Sequence, residues 1–378
     1  MAGAKSGEKT KTAAKTTAKT VAKKAPAAKD ATYVAYVSSY TRGTGDKYGI
    51  RVYDVDMDKG RMTEKEKVHI TNSSYITQSR SGKYLYSITD RGVEAYRIEK
   101  GGHLQQLDET SINGMRGCYL STDFEDRLLF VAGYHDGKLT VLRLNEDGTF
   151  GRITDEIYHK GLGLGSGRAN MPHVECAKLT RDNKYVCACD SGMDRTIVYR
   201  IQHATGKLTQ ADIIHAEPGS APRHIKFSKD GRFMYIVCEQ KAQIDVYSYE
   251  EQNGEPVFER LYQIPTGDED DPVGTAASAL NFSHDFRYMI SSDMTTNEVV
   301  VFKADPKNGN LSRILSLPIA GTYPKDAILF PDNRHLVSLN HESDSMTFFK
   351  FSEENRTLIM NGKELSVARP NCIVFHRL

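Results

Sequence analysis

Apolar and polar positions along most of this chain alternate in short runs, and the runs are cut by turn residues. Ile225-Lys226-Phe227-Ser228 is one such run, and the turn pair Asp230-Gly231 follows it. Alternation with a period of two places one face of a strand against a core and the other toward a second surface. From residue 33 onward no amphipathic pattern of helical period persists for 12 or more residues. The pattern therefore predicts an all-β protein.

One signature recurs. It combines a turn pair, a basic residue and an apolar or aromatic run: Ser81-Gly82-Lys83-Tyr84-Leu85-Tyr86, Glu125-Asp126-Arg127-Leu128-Leu129-Phe130, Asp182-Asn183-Lys184-Tyr185-Val186-Cys187, Asp230-Gly231-Arg232-Phe233-Met234-Tyr235, Asp285-Phe286-Arg287-Tyr288-Met289-Ile290 and Asp332-Asn333-Arg334-His335-Leu336-Val337. Asp-Gly and Asp-Asn are hairpin signals. A third strand rich in β-branched and aromatic residues follows each hairpin, as at Leu139–Leu144, Thr196–Ile201, Ile244–Tyr249 and Glu298–Phe302. A polar turn and a fourth strand complete the unit. Four antiparallel strands in roughly 40–50 residues is the period of a propeller blade. Residues 33–54 supply part of a seventh unit, and the lone segment Cys372–Phe375 is expected to complete it. The fold expected over residues 31–378 is therefore a seven-bladed β-propeller with four-stranded antiparallel blades, with six or eight blades as the alternatives.

Composition adds boundaries. Residues 1–30 hold eight Lys against Glu8 and Asp30, a local net of +6, while the whole chain is +1. This tail is mostly Ala, Lys, Thr and Gly, so it has little to bury and is expected to be disordered. Any nucleic-acid contact is expected only as a weak one by this tail, because the remainder is acidic. No apolar run of about 18 residues suggests a membrane span, and the N-terminus shows no apolar core of a secretory signal. The six Cys lie mostly in apolar strands without CxxC spacing, which reads as reduced, buried thiols in a cytoplasmic protein. The Cys187 and Cys189 pair, the Gly-rich Gly161–Gly167 and the acidic Asp268–Asp271 read as core, flexible loop and solvated loop. No metal or cofactor is expected, and the protein is expected to be a monomer or dimer.

The repeat also names the rim of a central channel. The start of each innermost strand and the end of the next share one mouth. Residues at those positions include Tyr119, His173, Glu175, Asp190, Arg223, His224, Glu239, Asp293, Lys325 and His341. A ring of His, Arg, Lys, Asp and Glu in one mouth suits a small anionic ligand.

Several stretches resemble a known family. They are Tyr36-Val37-Ser38-Ser39-Tyr40-Thr41, Asn72-Ser73-Ser74-Tyr75-Ile76, Pro172-His173-Val174-Glu175, Cys189-Asp190-Ser191-Gly192-Met193-Asp194-Arg195, Ala221-Pro222-Arg223-His224-Ile225 and Tyr235-Ile236-Val237-Cys238-Glu239. These are similar to the blade motifs of lactonase-type seven-bladed propellers. That group includes the bacterial propeller form of 6-phosphogluconolactonase and the fungal carboxy-muconate cyclase. The resemblance implies a hydrolase that opens a sugar or phosphosugar lactone by water attack, with an anionic lactone or sugar acid as partner. It implies catalytic roles for His173, Arg223 and Glu239, and Glu175 is expected as a substitute base, with the rim residues Tyr119, Asp190, His224, Asp293, Lys325 and His341 expected to bind substrate. Two motifs depart from the family pattern. Glu175 stands where the pattern has a second His, and Ser278-Ala279-Leu280 with Asp293 replaces an Ala-Glu-Ile strand and an Asn-Arg ending. A mouth with one cation fewer suits a doubly charged phosphate less well. The alternatives are a propeller that binds a ligand or protein without catalysis, and a muconate-type lactonizing isomerase.

Overall fold

A computed structural model of the chain describes residues 1–3, 32–163, 170–267 and 276–378. The expectations for the N-terminal tail and for Asp268–Asp271 concern residues outside those described. So does most of Gly161–Gly167.

The described strands form seven antiparallel sheets. Blade 1 spans residues 33–68 and takes a fourth strand from the C-terminus. Blades 2 to 7 span 76–110, 119–158, 174–215, 222–265, 277–318 and 324–366. Helical structure among the described residues is confined to short 3-10 turns such as Lys100–Gly102. The expected third strands are present as Lys138–Leu144, Arg195–Gln202, Gln243–Gln252 and Glu298–Ala304.

Ring closure follows the expected route. Pro370–Arg377 is the innermost strand of blade 1 and pairs with Tyr33–Ser39 from Tyr33–Arg377 through to Ser39–Pro370. The N-terminal strand thus finds its partner more than 330 residues away, and neither terminus leaves an open edge. In blade 7 the outer strand is interrupted, because Thr357–Met360 and Leu365–Ser366 pair separately with Ser345–Ser352.

Burial explains the sequence pattern. Second strands such as Leu128–Gly133, Tyr185–Asp190 and Phe233–Cys238 are buried at every residue, because neighbouring blades cover both of their faces. They therefore read as continuous apolar runs. Fourth strands such as Lys207–His215 lie at the perimeter and carry mostly polar residues. The cores lie between blades: Leu128, Phe130 and Leu139 of blade 3 pack with Val186, Val198 and Tyr199 of blade 4. Fully burying each large side chain contributes about 1.5–3 kcal/mol.

The first hairpin turn of each unit needs a left-handed residue. Gly82, Asp126, Asn183, Gly231 and Asn333 all have φ between 54° and 81° there. These residue types tolerate that conformation at low cost. Blade 6 places Phe286 at the same position, with φ of 63°.

Candidate active site in the channel mouth

The innermost strands carry an irregularity that alternation does not reveal. In blade 4 the ladder steps from Val174–Asp190 to Cys176–Cys189 and leaves out Glu175. Blade 5 steps from Pro222–Cys238 to His224–Val237 and leaves out Arg223. Lys325 is bypassed in blade 7 and Asn371 in blade 1. Blade 6 sets two residues, Ser278 and Ala279, against one. A β-bulge of this kind re-aims a side chain away from the regular pleat. The bulged residues meet: Glu175, Arg223, Ser278, Lys325 and Asn371, with Ser74 and Cys118 from blades 2 and 3, line one cavity of about 90 Å³. Tyr75, Tyr119, His224, Ala279 and Asp326, each one position further along its strand, line it more deeply. A second cavity of about 100 Å³ adjoins through Glu175 and is lined by Tyr134, His173, Ser191 and Glu239.

Arg223 is the electrostatic centre. It forms an ion pair with Glu239, and its other close carboxylate is Glu175, 4.0 Å away. Burial disfavours its charge, but Glu239 and Glu175 outweigh that and hold the guanidinium protonated. Its Nε finds no hydrogen-bond partner among the described residues. Glu175 is pushed above the usual carboxylate range by burial. Arg223 pulls it back, and Glu239 adds to the rise. The Ser191 hydroxyl donates to Glu175 Oε1 at 3.5 Å.

Lys325 faces the same carboxylates. Burial and then Arg223 lower it to about 8, while Glu175 and Glu239 raise it. Its ammonium lies 5.3 Å from the Tyr323 ring centre. An amine poised at that value exchanges protons near neutrality, unlike an ordinary lysine.

His173 is fixed as a unit with Tyr134. The rings stack 4.2 Å apart with planes 9° from parallel. Its Nδ1 lies 2.7 Å from the Tyr134 carbonyl. A carbonyl only accepts, so that nitrogen carries the proton. His224 is buried beside Tyr119, with ring centres 5.6 Å apart. Burial, then Arg223, Lys226 and Lys325, hold it well below the usual imidazole range, so it is neutral. His341 is lowered to about 4, chiefly by burial, and its ring packs edge-on against Tyr40 at 5.5 Å. Cys118 is no thiolate, because burial and Glu175 push it far up. Its Sγ lies 3.2 Å from the Val174 carbonyl.

Three residues expected at the rim, Asp190, Asp293 and His341, line neither of these cavities. Asp190 is fully buried and lines neither cavity. One oxygen accepts the His173 N–H at 2.8 Å and the other meets His159 Nδ1 at 2.8 Å. It holds His173 from behind. Asp293 is also buried, and its Oδ1 accepts the N–H groups of Thr295 and Thr296, capping a turn. Asp at such a site serves its own backbone. Tyr119, His224 and Lys325 do line the first cavity. Lys226, Asn281 and Asp326 line it as well. Their even spacing down the innermost strands is the signal that finds them.

Among the described residues, no group of three or more His, Cys, Asp or Glu is arranged to hold a metal ion, and no helix is long and apolar enough to cross a membrane. What the mouth offers is a caged cation, two carboxylates, a near-neutral amine and an oriented imidazole. These groups can bind a carbonyl oxygen, accept a proton from water and return one to a leaving oxygen.

Comparison with known proteins identifies the family. A family model described as Lactonase, 7-bladed beta-propeller matches residues 34–375. The chain is 28% identical over 349 residues to the 6-phosphogluconolactonase of Bacillus subtilis (strain 168), covering 91% of this chain and 98% of that enzyme. It is 26% identical over 332 residues to the 6-phosphogluconolactonase of Formosa agariphila, covering 84% and 93%. The solved structure of the periplasmic gluconolactonase of Pseudomonas aeruginosa superposes with a TM-score of 0.84 at 26% identity, covering 91% and 99%. The chain belongs to the lactonase family of seven-bladed β-propellers.

Proposed function

We propose that this protein hydrolyses a sugar lactone at the channel mouth, with Glu175, Arg223 and Lys325 as the working groups. The observation that carries the reading is the meeting of three bulged residues, Glu175, Arg223 and Lys325, in one cavity. Lactone hydrolysis needs a base for water, a positive donor for the tetrahedral oxyanion and an acid for the departing ring oxygen. Glu175 takes the proton of the attacking water. Arg223, steadied by Glu239, faces the oxyanion. Lys325 gives its proton to the ring oxygen as the C–O bond breaks. The proton on Glu175 then returns through solvent to Lys325, and the product is the open hydroxy acid. His173 flanks the carboxylates and orients the water or a substrate hydroxyl.

The cavity lining holds Arg223, Lys226 and Lys325 against Glu175 and Asp326, and Glu239 offsets that excess. This balance suits a substrate of low negative charge. The similar enzymes named above act on a phosphorylated and on an unphosphorylated lactone, so the test uses both. Purified protein is assayed with glucono-δ-lactone and its 6-phosphate, with spontaneous opening subtracted. Hydrolysis of at least one by the wild type, and its loss in Arg223→Ala, is expected. Equal rates for wild type and variant overturn the assignment. Ligand binding without acceleration identifies a non-catalytic propeller.

A further inference from the structure

The channel has a second polar chamber at its other end, where the innermost strands finish. Lys178 lies near the end of Val174–Leu179, and Arg181 follows it in the turn. Arg80 occupies the corresponding turn of blade 2, and Lys226 reaches down from blade 5. These four cations line a cavity of about 230 Å³ together with Phe124, Phe286 and other apolar residues. Among the described residues, no carboxylate lines it.

The nearby carboxylates are committed elsewhere. Asp126 accepts the backbone N–H groups of Arg80 and Ser81 at 2.6 and 2.7 Å. Asp326 is held by Asn281 at 2.6 Å and by the Ile373 N–H at 3.1 Å. Burial lowers both Lys178 and Lys226, and Lys226 and Arg80 lower Lys178 further. Asp326 raises Lys226 and Asp126 raises Arg80, but burial and neighbouring cations dominate at Lys178 and Arg181, and clustered cations cost stability unless an anion completes them.

The aromatic lining is built rather than incidental. Arg80 lies over the Phe124 ring at 4.1 Å and Arg181 over the Phe286 ring at 5.2 Å, so both guanidinium groups are held in place. Phe286 is the one departure from the turn rule described above. Its φ of 63° suits Gly82, Asp126, Asn183, Gly231 or Asn333 at the same position far better than a bulky ring. Strain of this kind persists where the surroundings and the function demand that side chain.

We propose that this lower chamber is a second ligand site, for a small phosphate-bearing metabolite with a planar or apolar part. The phosphate would sit among Lys178, Arg181, Lys226 and Arg80, and the apolar part against Phe124 and Phe286. Lys226 also lines the upper cavity, so a ligand below would be felt above.

Calorimetric titration of the full chain with phenyl phosphate and with inorganic phosphate tests this. Phenyl phosphate is expected to bind saturably and at least tenfold tighter than inorganic phosphate. The double variant Lys178→Gln/Arg181→Gln should weaken phenyl phosphate more than tenfold while lactone hydrolysis at the upper mouth persists. Phe286→Asn relieves the turn, so it folds at least as well, yet it should weaken phenyl phosphate by a larger factor than inorganic phosphate. Absence of saturable binding overturns the proposal. So does binding that disappears in Arg223→Ala and survives in the double variant, since the ligand would then sit in the upper mouth. Because binding is read without turnover, this result is separate from any failure of the lactonase reading.

Discussion

Glu175 Oε1 lies 4.0 Å from an Arg223 nitrogen, although the two residues belong to different blades. Each is the bulged residue of its innermost strand. Two local irregularities thus create one ion-pair geometry. Glu239 pairs with the same nitrogen of that guanidinium. Charge centres drawn partly out of bulk water interact more strongly than exposed ones.

Arg223→Ala is expected to lower kcat/KM for the lactone by about 10²–10³-fold, as losses of an oxyanion donor do. Arg223→Lys should recover only part of it, because a compact ammonium on a flexible stem does not reproduce the rigid, delocalised guanidinium. The two rate constants, measured with folding checked by circular dichroism, decide the point.

Glu175→Gln should reduce kcat by about 10²–10⁴-fold, the range for a lost general base. It should also move Lys325. Glu175 raises that lysine, so removing the charge lets it fall. The basic limb of the pH–rate profile therefore shifts to lower pH in any residual activity.

The wild-type profile carries its own sign. Lys325 works protonated and sits at about 8. Hydrolysis should therefore decline as pH rises through about 8, after subtraction of the spontaneous reaction. Lys325→Met should be slow and lack this basic limb. A profile of unchanged shape in that variant removes Lys325 from the mechanism.

Asp190→Ala tests support rather than chemistry. It strips partners from His159 and from the His173 N–H. Each unsatisfied buried polar group costs about 1–3 kcal/mol. A lower melting temperature is expected together with weaker activity, since His173 loses its backing. Asp190→Asn keeps acceptor geometry on one side and should recover part of both.

Deleting residues 370–378 removes the innermost strand of blade 1 and exposes the edge of Tyr33–Ser39. The shortened protein is expected to aggregate or to melt well below the full chain in a thermal scan, because an unpaired edge and an opened core replace a closed ring.

Much of the architecture was legible because turn chemistry is local. Asp-Gly and Asp-Asn pairs, and runs buried on both faces, announce themselves residue by residue. The rim was legible in outline for the same reason, and Glu175, Arg223, His224 and Lys325 do share one mouth. Asp190 and Asp293 were not separable from them, since an Asp that caps a turn and an Asp that faces a ligand occupy the same place in the repeat. The lower chamber was not legible at all. Lys178, Lys226 and Arg80 look like ordinary polar positions of separate strands.

The order of strands and the closing segment were determined by the chain's own pattern, since each blade must bury its faces against neighbours and leave no edge, while the count of seven blades was settled by the closed ring. Which side chains confront one another across the channel was decided by tertiary structure alone. A bulge moves one side chain without altering composition, and ring closure brings blades together that are about 50 to 150 residues apart. The pKa values of Glu175 and Lys325 follow from that closure, because desolvation and Coulomb interaction depend on distance in space and not along the chain.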